Sequence, residues 1–337
     1  MTAFTLVTGG CGFIGSHIVV ELVELGYPVL IVDNFCNSPE DSIQNINNVV
    51  KGNIECLEGD VRDKDFLRKV FTNYDIASVI HLAGLKSVND SFTKPLEYYD
   101  NNIQGTLNLL KQMQIFNVKN FIFSSSATVY GDSCPLPYQE TAILEAPCNP
   151  YGYSKYCVER FLSDLSASDP DWSIVNFRYF NPVGAHSSGL IGEYPHLGST
   201  NLMPHILKAA AGQGTVEIFG GDFQTHDGTP IRDFIHVSDL AKGHCSGLRF
   251  GYENKGFFTF NLGTGLGYSV LEMVEAFKKA TGLELKYHLV SRRKGDLAIS
   301  YADASLARQQ LKWEAKCSLA DMCADSWKFF KKYDGLR

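Results

Sequence analysis

The chain has 337 residues, with 37 acidic against 30 basic side chains and a formal charge of −7. At 45% hydrophobic and 20% charged it has the composition of a well-cored globular protein, which excludes collagen, coiled-coil and disordered chains. The acidic balance argues against nucleic-acid or anionic-membrane partners, and no run reaches the roughly 18 apolar residues of a membrane helix.

The length predicts roughly two domains. Residues 4–7, 29–32, 54–57, 78–82, 120–124 and 173–177 are short runs rich in Val, Ile and Phe, bounded by Gly, Asp and Asn, and are read as strands. Helix-length segments lie between them, including 12–25, 96–116 and 151–166. That alternation predicts an α/β fold, a Rossmann-type doubly wound parallel sheet covered on both faces, over residues 1–181. After residue 182 the rhythm weakens and a Gly- and His-containing stretch occupies 184–198. Helical patterns return at 202–211, 269–280 and 319–331, so residues 182–337 are expected to form a smaller mixed portion beside the sheet.

Met1 to Phe4 carries no cationic leader region and runs straight into the first strand. The nine Cys are odd in number and contain no C-x-x-C pair, which reads as free thiols of a cytoplasmic protein. The nine His form no cluster with Cys, and no metal site is expected.

Strand 1 runs into Thr8-Gly-Gly-Cys-Gly-Phe-Ile-Gly-Ser-His17, with Gly9, Gly12 and Gly15 three apart before a helix. Glycines at this spacing allow a tight turn, close approach of backbone to a pyrophosphate, and close helix–strand contact. The helix N-terminus then offers N–H groups and partial positive charge to the phosphates. Asp33 ends strand 2, 18 residues after Gly15, where a carboxylate can accept from the adenosine ribose. No Arg lies between Asp33 and Lys51, which favours NAD over a 2′-phosphorylated cofactor. Asp60-Val61 follows strand 3 and could flank an adenine, although an Asp there serves equally as a helix cap. Leu82-Ala83-Gly84-Leu85-Lys86 ends strand 4 with small residues that let a ligand approach the backbone.

Tyr151 and Lys155 are four apart, hence on one helical face, with Asn149 as cap and Pro150 at the first helical position. A phenol titrates near 10, and lowering it toward 7 requires about 4 kcal/mol of differential stabilisation. A neighbouring ammonium together with a cationic nicotinamide is a source for that, after which the phenolate can take a hydroxyl proton. Ser126 or Thr128, at the end of strand 5, could hydrogen-bond the reacting oxygen; a solvated serine turn is the other reading. Arg232 and Arg293 are forks suited to a diphosphate or, as isolated arginines more often are, to surface ion pairs.

Taken together, the glycine loop, Asp33, Ser126 and Tyr151-x-x-x-Lys155 resemble the extended short-chain dehydrogenase/reductase family, and within it the UDP-glucose (UDP-galactose) 4-epimerases. Further similar segments are Leu96-Glu-Tyr-Tyr-Asp-Asn-Asn102, Phe121-Ile-Phe-Ser-Ser-Ser-Ala-Thr-Val-Tyr-Gly131, Arg178-Tyr-Phe-Asn-Pro-Val-Gly-Ala185, Asn201-Leu-Met-Pro204, Ile231-Arg-Asp-Phe-Ile-His236 and Arg293-Lys-Gly-Asp296, spanning almost the whole chain. The resemblance implies catalysis by Tyr151, Lys155 and Ser126. It implies NAD contacts from Gly9, Gly12, Phe13, Ile14, Asp33, Asn34, Cys36, Asn37, Ser38, Asp60, Val61, Leu82, Ala83, Gly84, Lys86, Asn101, Ser124, Tyr151, Lys155 and Phe180. UDP-sugar contacts would come from Lys86, Ser126, Tyr151, Asn181, Asn201, Leu202, Glu217, Ile218, Phe219, Arg232, Arg293, Asp296 and Ser300.

The implied reaction interconverts UDP-galactose and UDP-glucose. Sugar carbon 4 is transiently oxidised with bound NAD, the 4-keto sugar turns over, and hydride returns to its other face. In that family a Tyr at the position of Ser300 excludes an N-acetyl group at sugar carbon 2. The small Ser300 therefore implies activity on UDP-N-acetylglucosamine and UDP-N-acetylgalactosamine as well. A homodimer through the helices before Phe116 and after Asn149 is also implied. Two alternatives stand. A nucleotide-sugar 4,6-dehydratase would carry an Asp-Glu pair where this chain has Ala127 and Thr128. A non-catalytic NAD-sensing regulator would have no need of the phenol–ammonium pair. A glucuronate decarboxylase is disfavoured by the resemblance. A serine hydrolase and a P-loop kinase are opposed by the lack of a G-x-S-x-G elbow and of any Gly-Lys dipeptide.

Overall fold

The computed structural model describes residues 3–194, 201–293 and 295–334. Met1, Lys294 of the 293–296 segment and the end of the 184–198 stretch lie outside them. Six strands follow one another along the first half: β1 (Phe4–Thr8), β2 (Val29–Asp33), β3 (Glu55–Glu58), β4 (Ile76–His81), β5 (Asn120–Ser126) and β6 (Ser173–Tyr179). The helices between them are α1 (Phe13–Glu24), α2 (Ser42–Val50), α3 (Lys64–Asn73), α4 (Val88–Thr93), α5 (Pro95–Tyr99), α6 (Gly105–Ile115) and α7 (Pro150–Ser168). The second half contains β7 (Asn181–Val183), α8 (Leu202–Ala210), β8 (Val216–Phe219), β9 (Ile231–Arg232), β10 (Phe234–His236) and α9 (Val237–Glu253). It continues with β11 (Gly256–Leu262), β12 (Tyr268–Ser269), α10 (Val270–Thr281), β13 (Tyr287–Val290), β14 (Ile299–Ser300) and α11 (Leu319–Tyr333).

The main sheet is seven-stranded and parallel throughout, in the order β11-β6-β5-β4-β1-β2-β3. The order reverses between β1 and β4, and in such sheets ligands bind at the carboxyl ends of the strands at that point. β2 and β6 are buried along their whole length, as expected of strands covered on both faces. On one face α1 and α9 pack Ile18, Val19 and Leu22 against Leu240, Leu248 and Trp313. On the other, α3, α6 and α7 contribute Leu67, Val70, Leu109, Met113, Val158 and Leu162. A separate core gathers Met203, Ile206, Val216, Phe277, Met322 and Phe330 beneath the small second-half strands.

Three differences from the sequence reading stand out, the first being that α9 occupies a stretch where no helix was expected. The helix expected over 96–116 is broken into α5, a π-helical turn at Asp100–Gln104, and α6. The wide turn carries Asn102 into the interior, where Leu85 N donates to its Oδ1 (2.8 Å) and its Nδ2 donates to Leu85 O (3.1 Å) and Ser154 Oγ (3.0 Å). The sheet also extends past the boundary expected at residue 181. β11 pairs with β6 from Gly256↔Ser173 to Leu262↔Tyr179, and α9 covers the sheet beside α1.

Candidate active site

A cleft of about 420 Å³ opens where β1 to β6 end. Every residue expected to contact NAD lines it, from Gly9 and Gly12 through Asp33 and Asp60 to Lys86, Ser124, Lys155 and Phe180. Ser126, Tyr151, Asn181 and Asn201 line the same space.

The glycine loop has its shape for steric reasons. Gly9 adopts φ +73°, and a Cβ there would lie 2.7 Å from Ala83 N. A Cβ on Gly15 would lie 2.1 Å from Gly9 O, so the loop folds onto its own helix only without one. α1 starts at Gly12 with no side-chain cap and no acid in its first turn, which leaves its first N–H groups to an anion.

Asp33 is buried, and its carboxylate accepts from Cys11 N and Phe35 N at 2.9 Å each. Burial raises its pKa, and these backbone hydrogen bonds oppose the rise. The Asp60 carboxylate is held at about 2, chiefly by Arg62, whose Nη2 lies 2.8 Å from Oδ2 and whose Nε lies 3.0 Å from Oδ1. Asn34 Nδ2 also donates to Asp60 at 2.9 Å. The loop without a Cβ, the uncapped helix start and the strand-end acid together fit a dinucleotide.

At the other end of the cleft α7 begins as expected: Asn149 Oδ1 accepts from Gly152 N at 2.8 Å, and Pro150 opens the helix. Its face presents Tyr151 and Lys155. Lys155 Nζ donates to Ser124 O at 2.7 Å and lies 4.9 Å above the Phe123 ring. Burial lowers the ammonium to about 8. Burial also raises the Tyr151 phenol, with the Ser126 hydroxyl pulling the other way. In the chain alone desolvation sets the direction, so the lowering expected from the ammonium together with a cationic nicotinamide would have to come with the cofactor. Ser126 Oγ accepts from Thr128 N (3.2 Å) and Thr128 Oγ1 (3.0 Å), which joins the two hydroxyls weighed as alternatives from the sequence.

The remaining UDP-sugar candidates gather outside this lining, around β8, β9 and β14. Arg293 stacks on Phe219, 3.8 Å from the ring centroid, and Arg232 Nη2 lies 4.0 Å from Asp296 Oδ1. Ser300, buried, is the register partner of Arg232. Leu202 starts α8 against the second-half core, and the Ile218 side chain belongs to that core while Ile218 pairs with Leu289 on β13. Glu217 is exposed, 3.6 Å from His288. The group joins the cleft through β7 and β10, where Asn181 pairs with Phe234 and Asn181 N donates to Asp233 O at 2.9 Å.

Sequence reasoning missed Glu193, a buried carboxylate that bridges Lys86 Nζ (3.1 Å) and Asn201 Nδ2 (2.7 Å). It also missed Tyr179, whose hydroxyl lies 2.5 Å from His244 Nε2 while His244 Nδ1 donates to Leu240 O. Neither sits in a spacing that marks it; folding alone brings both to the cleft.

Residues 5–263 match the NAD dependent epimerase/dehydratase family. A UDP-glucose 4-epimerase of Haemophilus influenzae is 49% identical over 327 residues, covering 97% of both chains. The chain belongs to the NAD dependent epimerase/dehydratase family, and within it to the UDP-glucose 4-epimerases. Two solved structures of the family superpose on nearly the full length. A UDP-glucose-4-epimerase from Stenotrophomonas maltophila, with bound NAD and formylated UDP-arabinopyranose, is 46% identical with a TM-score of 0.96, covering 99% of this chain and 100% of that one. A Bifidobacterium longum UDP-glucose 4-epimerase in complex with NAD+ and UDP is 47% identical with a TM-score of 0.95, covering 98% and 99%. As a member of this family the chain is an isomerase with NAD as its cofactor.

Proposed function

We propose that the chain interconverts UDP-galactose and UDP-glucose by inverting sugar carbon 4. The observation that carries this reading is the meeting of Ser126, Tyr151 and Lys155 in the cleft built on the glycine loop. Bound NAD+ supplies a hydride acceptor that later becomes the donor. Gly9, Gly12, Phe13 and Ile14 would hold its phosphates, Asp33 its adenosine ribose, and Asp60 and Val61 would flank its adenine.

Tyr151 takes the proton of the carbon-4 hydroxyl and returns it after the keto sugar has turned over. Ser126 already accepts two hydrogen bonds from Thr128, so its own proton is left to donate to the sugar oxygen or the phenolate. Lys155 contributes positive charge below the phenol, and the cofactor's cationic ring adds the rest that desolvation withholds. Asn181, Asn201 and Leu202, with Glu217, Ile218, Phe219, Arg232, Arg293 and Asp296, hold the uridine diphosphate while the sugar turns.

Ser300 is small, so we extend the substrate range to UDP-N-acetylglucosamine and UDP-N-acetylgalactosamine. The protein acts as a homodimer in the cytoplasm. The dimer rests on large apolar side chains left in solvent on the helices beside the cleft, Leu96 at 80% exposure and Tyr153 at 40%.

The test incubates purified protein with UDP-galactose and no added NAD, followed by chromatography. UDP-glucose is the expected product; a 4-keto-6-deoxy sugar would identify a dehydratase, and unchanged substrate would overturn the reading. Conversion of UDP-N-acetylglucosamine, lost in a Ser300→Tyr variant that still turns over UDP-galactose, tests the wider range. Light scattering at micromolar protein reads the mass, and a monomer removes the dimer.

A further inference from the structure

We infer that Glu159 is a positioning residue for the proton-transfer step: it fixes the strand end that presents Ser126 and supplies the negative charge that keeps Lys155 an ammonium. This rests on the reaction proposed above. Tyr151, Lys155 and Glu159 are four residues apart and share one face of α7. They meet three consecutive residues of β5. Lys155 Nζ donates to Ser124 O at 2.7 Å, the Ser125 hydroxyl donates to Glu159 Oε1 at 2.5 Å, and Tyr151 faces the Ser126 hydroxyl. Arg178, the register partner of Ser125 on β6, closes the arrangement with Nε 3.1 Å from Glu159 Oε1 and Nη2 2.7 Å from Oε2.

Ser125, Glu159 and Arg178 are all buried. A buried ion pair is weak evidence of a stability role, because well-packed apolar residues of similar volume often stabilise as much. Its place one helical turn from Lys155 gives it a different use. The groups around Lys155 are Glu159 on α7, itself paired with Arg178 on β6, the Ser124 carbonyl and Phe123 ring on β5, and His81 on β4, while Tyr151 on α7 and Tyr179 on β6 line the same cleft. Burial holds His81 near 3 and pushes the Tyr179 phenol up, so both are neutral at working pH. Glu159 is the charge in this set that favours the ammonium, against the desolvation that disfavours it.

Glu159→Gln keeps the shape and an acceptor for Ser125 and removes the charge. Activity that needs a phenolate and an ammonium is bell-shaped in pH, and the variant is expected to move both limbs about one unit toward acid with KM for UDP-galactose within about twofold. A purely structural role would lower the height of the bell and leave its limbs in place. A second readout needs no turnover: the 13Cε resonance of Lys155 in the NAD-bound protein, assigned by its absence in Lys155→Met, titrates at lower pH in Glu159→Gln. If the single variant is lost to its unpaired guanidinium, Glu159→Gln with Arg178→Gln removes both charges and is expected to show a smaller displacement in the same direction, because the more distant Arg178 cation offsets part of the carboxylate's effect on Lys155. Equal titration of Lys155 with and without Glu159 overturns the inference. A wild type that leaves UDP-galactose unchanged overturns the reaction instead, and the resonance still reports on the pair.

Discussion

Lys155 reaches across from α7 to donate its ammonium to the carbonyl of Ser124 at 2.7 Å. That contact gives the cation one strong acceptor inside a buried wall, and the loss of water still lowers it to about 8. The lysine is therefore charged below that pH and neutral above it. If turnover needs the charge, kcat has an alkaline limb near pH 8, and Lys155→Arg, which stays protonated, moves that limb upward. A kcat profile flat from pH 7 to 10 in the wild type would show that the ammonium is not used.

Replacing Tyr151 by Phe removes the proton acceptor and keeps the ring. Loss of a positioned acid–base group costs about 10²–10⁴ in rate. Nucleotide released on denaturation is expected to stay within about twofold of wild type, since the ring is kept and the glycine loop and Asp33 are untouched. Turnover within tenfold of wild type would sink the proposed role.

Gly15→Ala tests the loop without chemistry. The added methyl would lie 2.1 Å from Gly9 O, a backbone atom that moves only with the turn. Overpacking of this kind costs about 1–3 kcal/mol. The variant is expected to lose bound NAD and to melt lower. Wild-type cofactor content by chromatography would refute the steric account.

Acid stability follows from buried histidines held neutral: His17, His81 and His244, with His236 lowered by burial as well. Burial lowers His17 and His81 to about 3 and His244 to about 4. His81 bridges Thr8 Oγ1 at 2.7 Å and Thr106 Oγ1 at 2.9 Å, and buried His17 Nε2 has no hydrogen-bond partner among the described residues. The unfolded chain protonates these rings near 6.5, whereas the folded chain does not until pH 3 to 4. Stability is full above 6.5 and falls as the pH drops toward 4, by about 1.4 kcal/mol per unit for each ring. Denaturant titrations at pH 7 and 5 measure the slope, and His244→Asn is expected to reduce it by the share of one ring, about 1.4 kcal/mol per unit.

Much of the sheet was legible because β1, β2, β4, β5 and β6 are built largely of Val, Ile and Phe and cut off by Gly, Asp and Asn, as burial on both faces demands, whereas the edge strand β3 is Glu-Cys-Leu-Glu and partly exposed. α9 was not legible. Its Gly243, Gly247 and Gly251 resemble loop composition, yet they form a stripe with a period of four on which the helix lies flat. A Cβ at Gly247 would lie 2.4 Å from the Phe177 ring, and one at Gly251 would lie 2.8 Å from Asn120 Oδ1. The cofactor end of the cleft was readable because strand ends and the glycine loop obey fixed spacings. Glu193, Arg62 and Tyr179 obey none; each is placed by a contact with a residue far away or across a turn. The Tyr151 phenol shows the same limit: spacing reveals a neighbouring charge and says nothing of how much water is lost, and in the chain alone burial raises it.

β11 closes the edge of the main sheet from residues 256–262, long after β6 has been made. During synthesis a ribosome must therefore release more than eighty further residues before the amide and carbonyl row of β6 finds its mate. Over that interval the nascent chain carries an open, apolar strand edge of the kind that pairs with other chains. A polypeptide ending at residue 181 would keep that edge permanently and would be expected to precipitate, even though it contains the glycine loop, Tyr151 and Lys155.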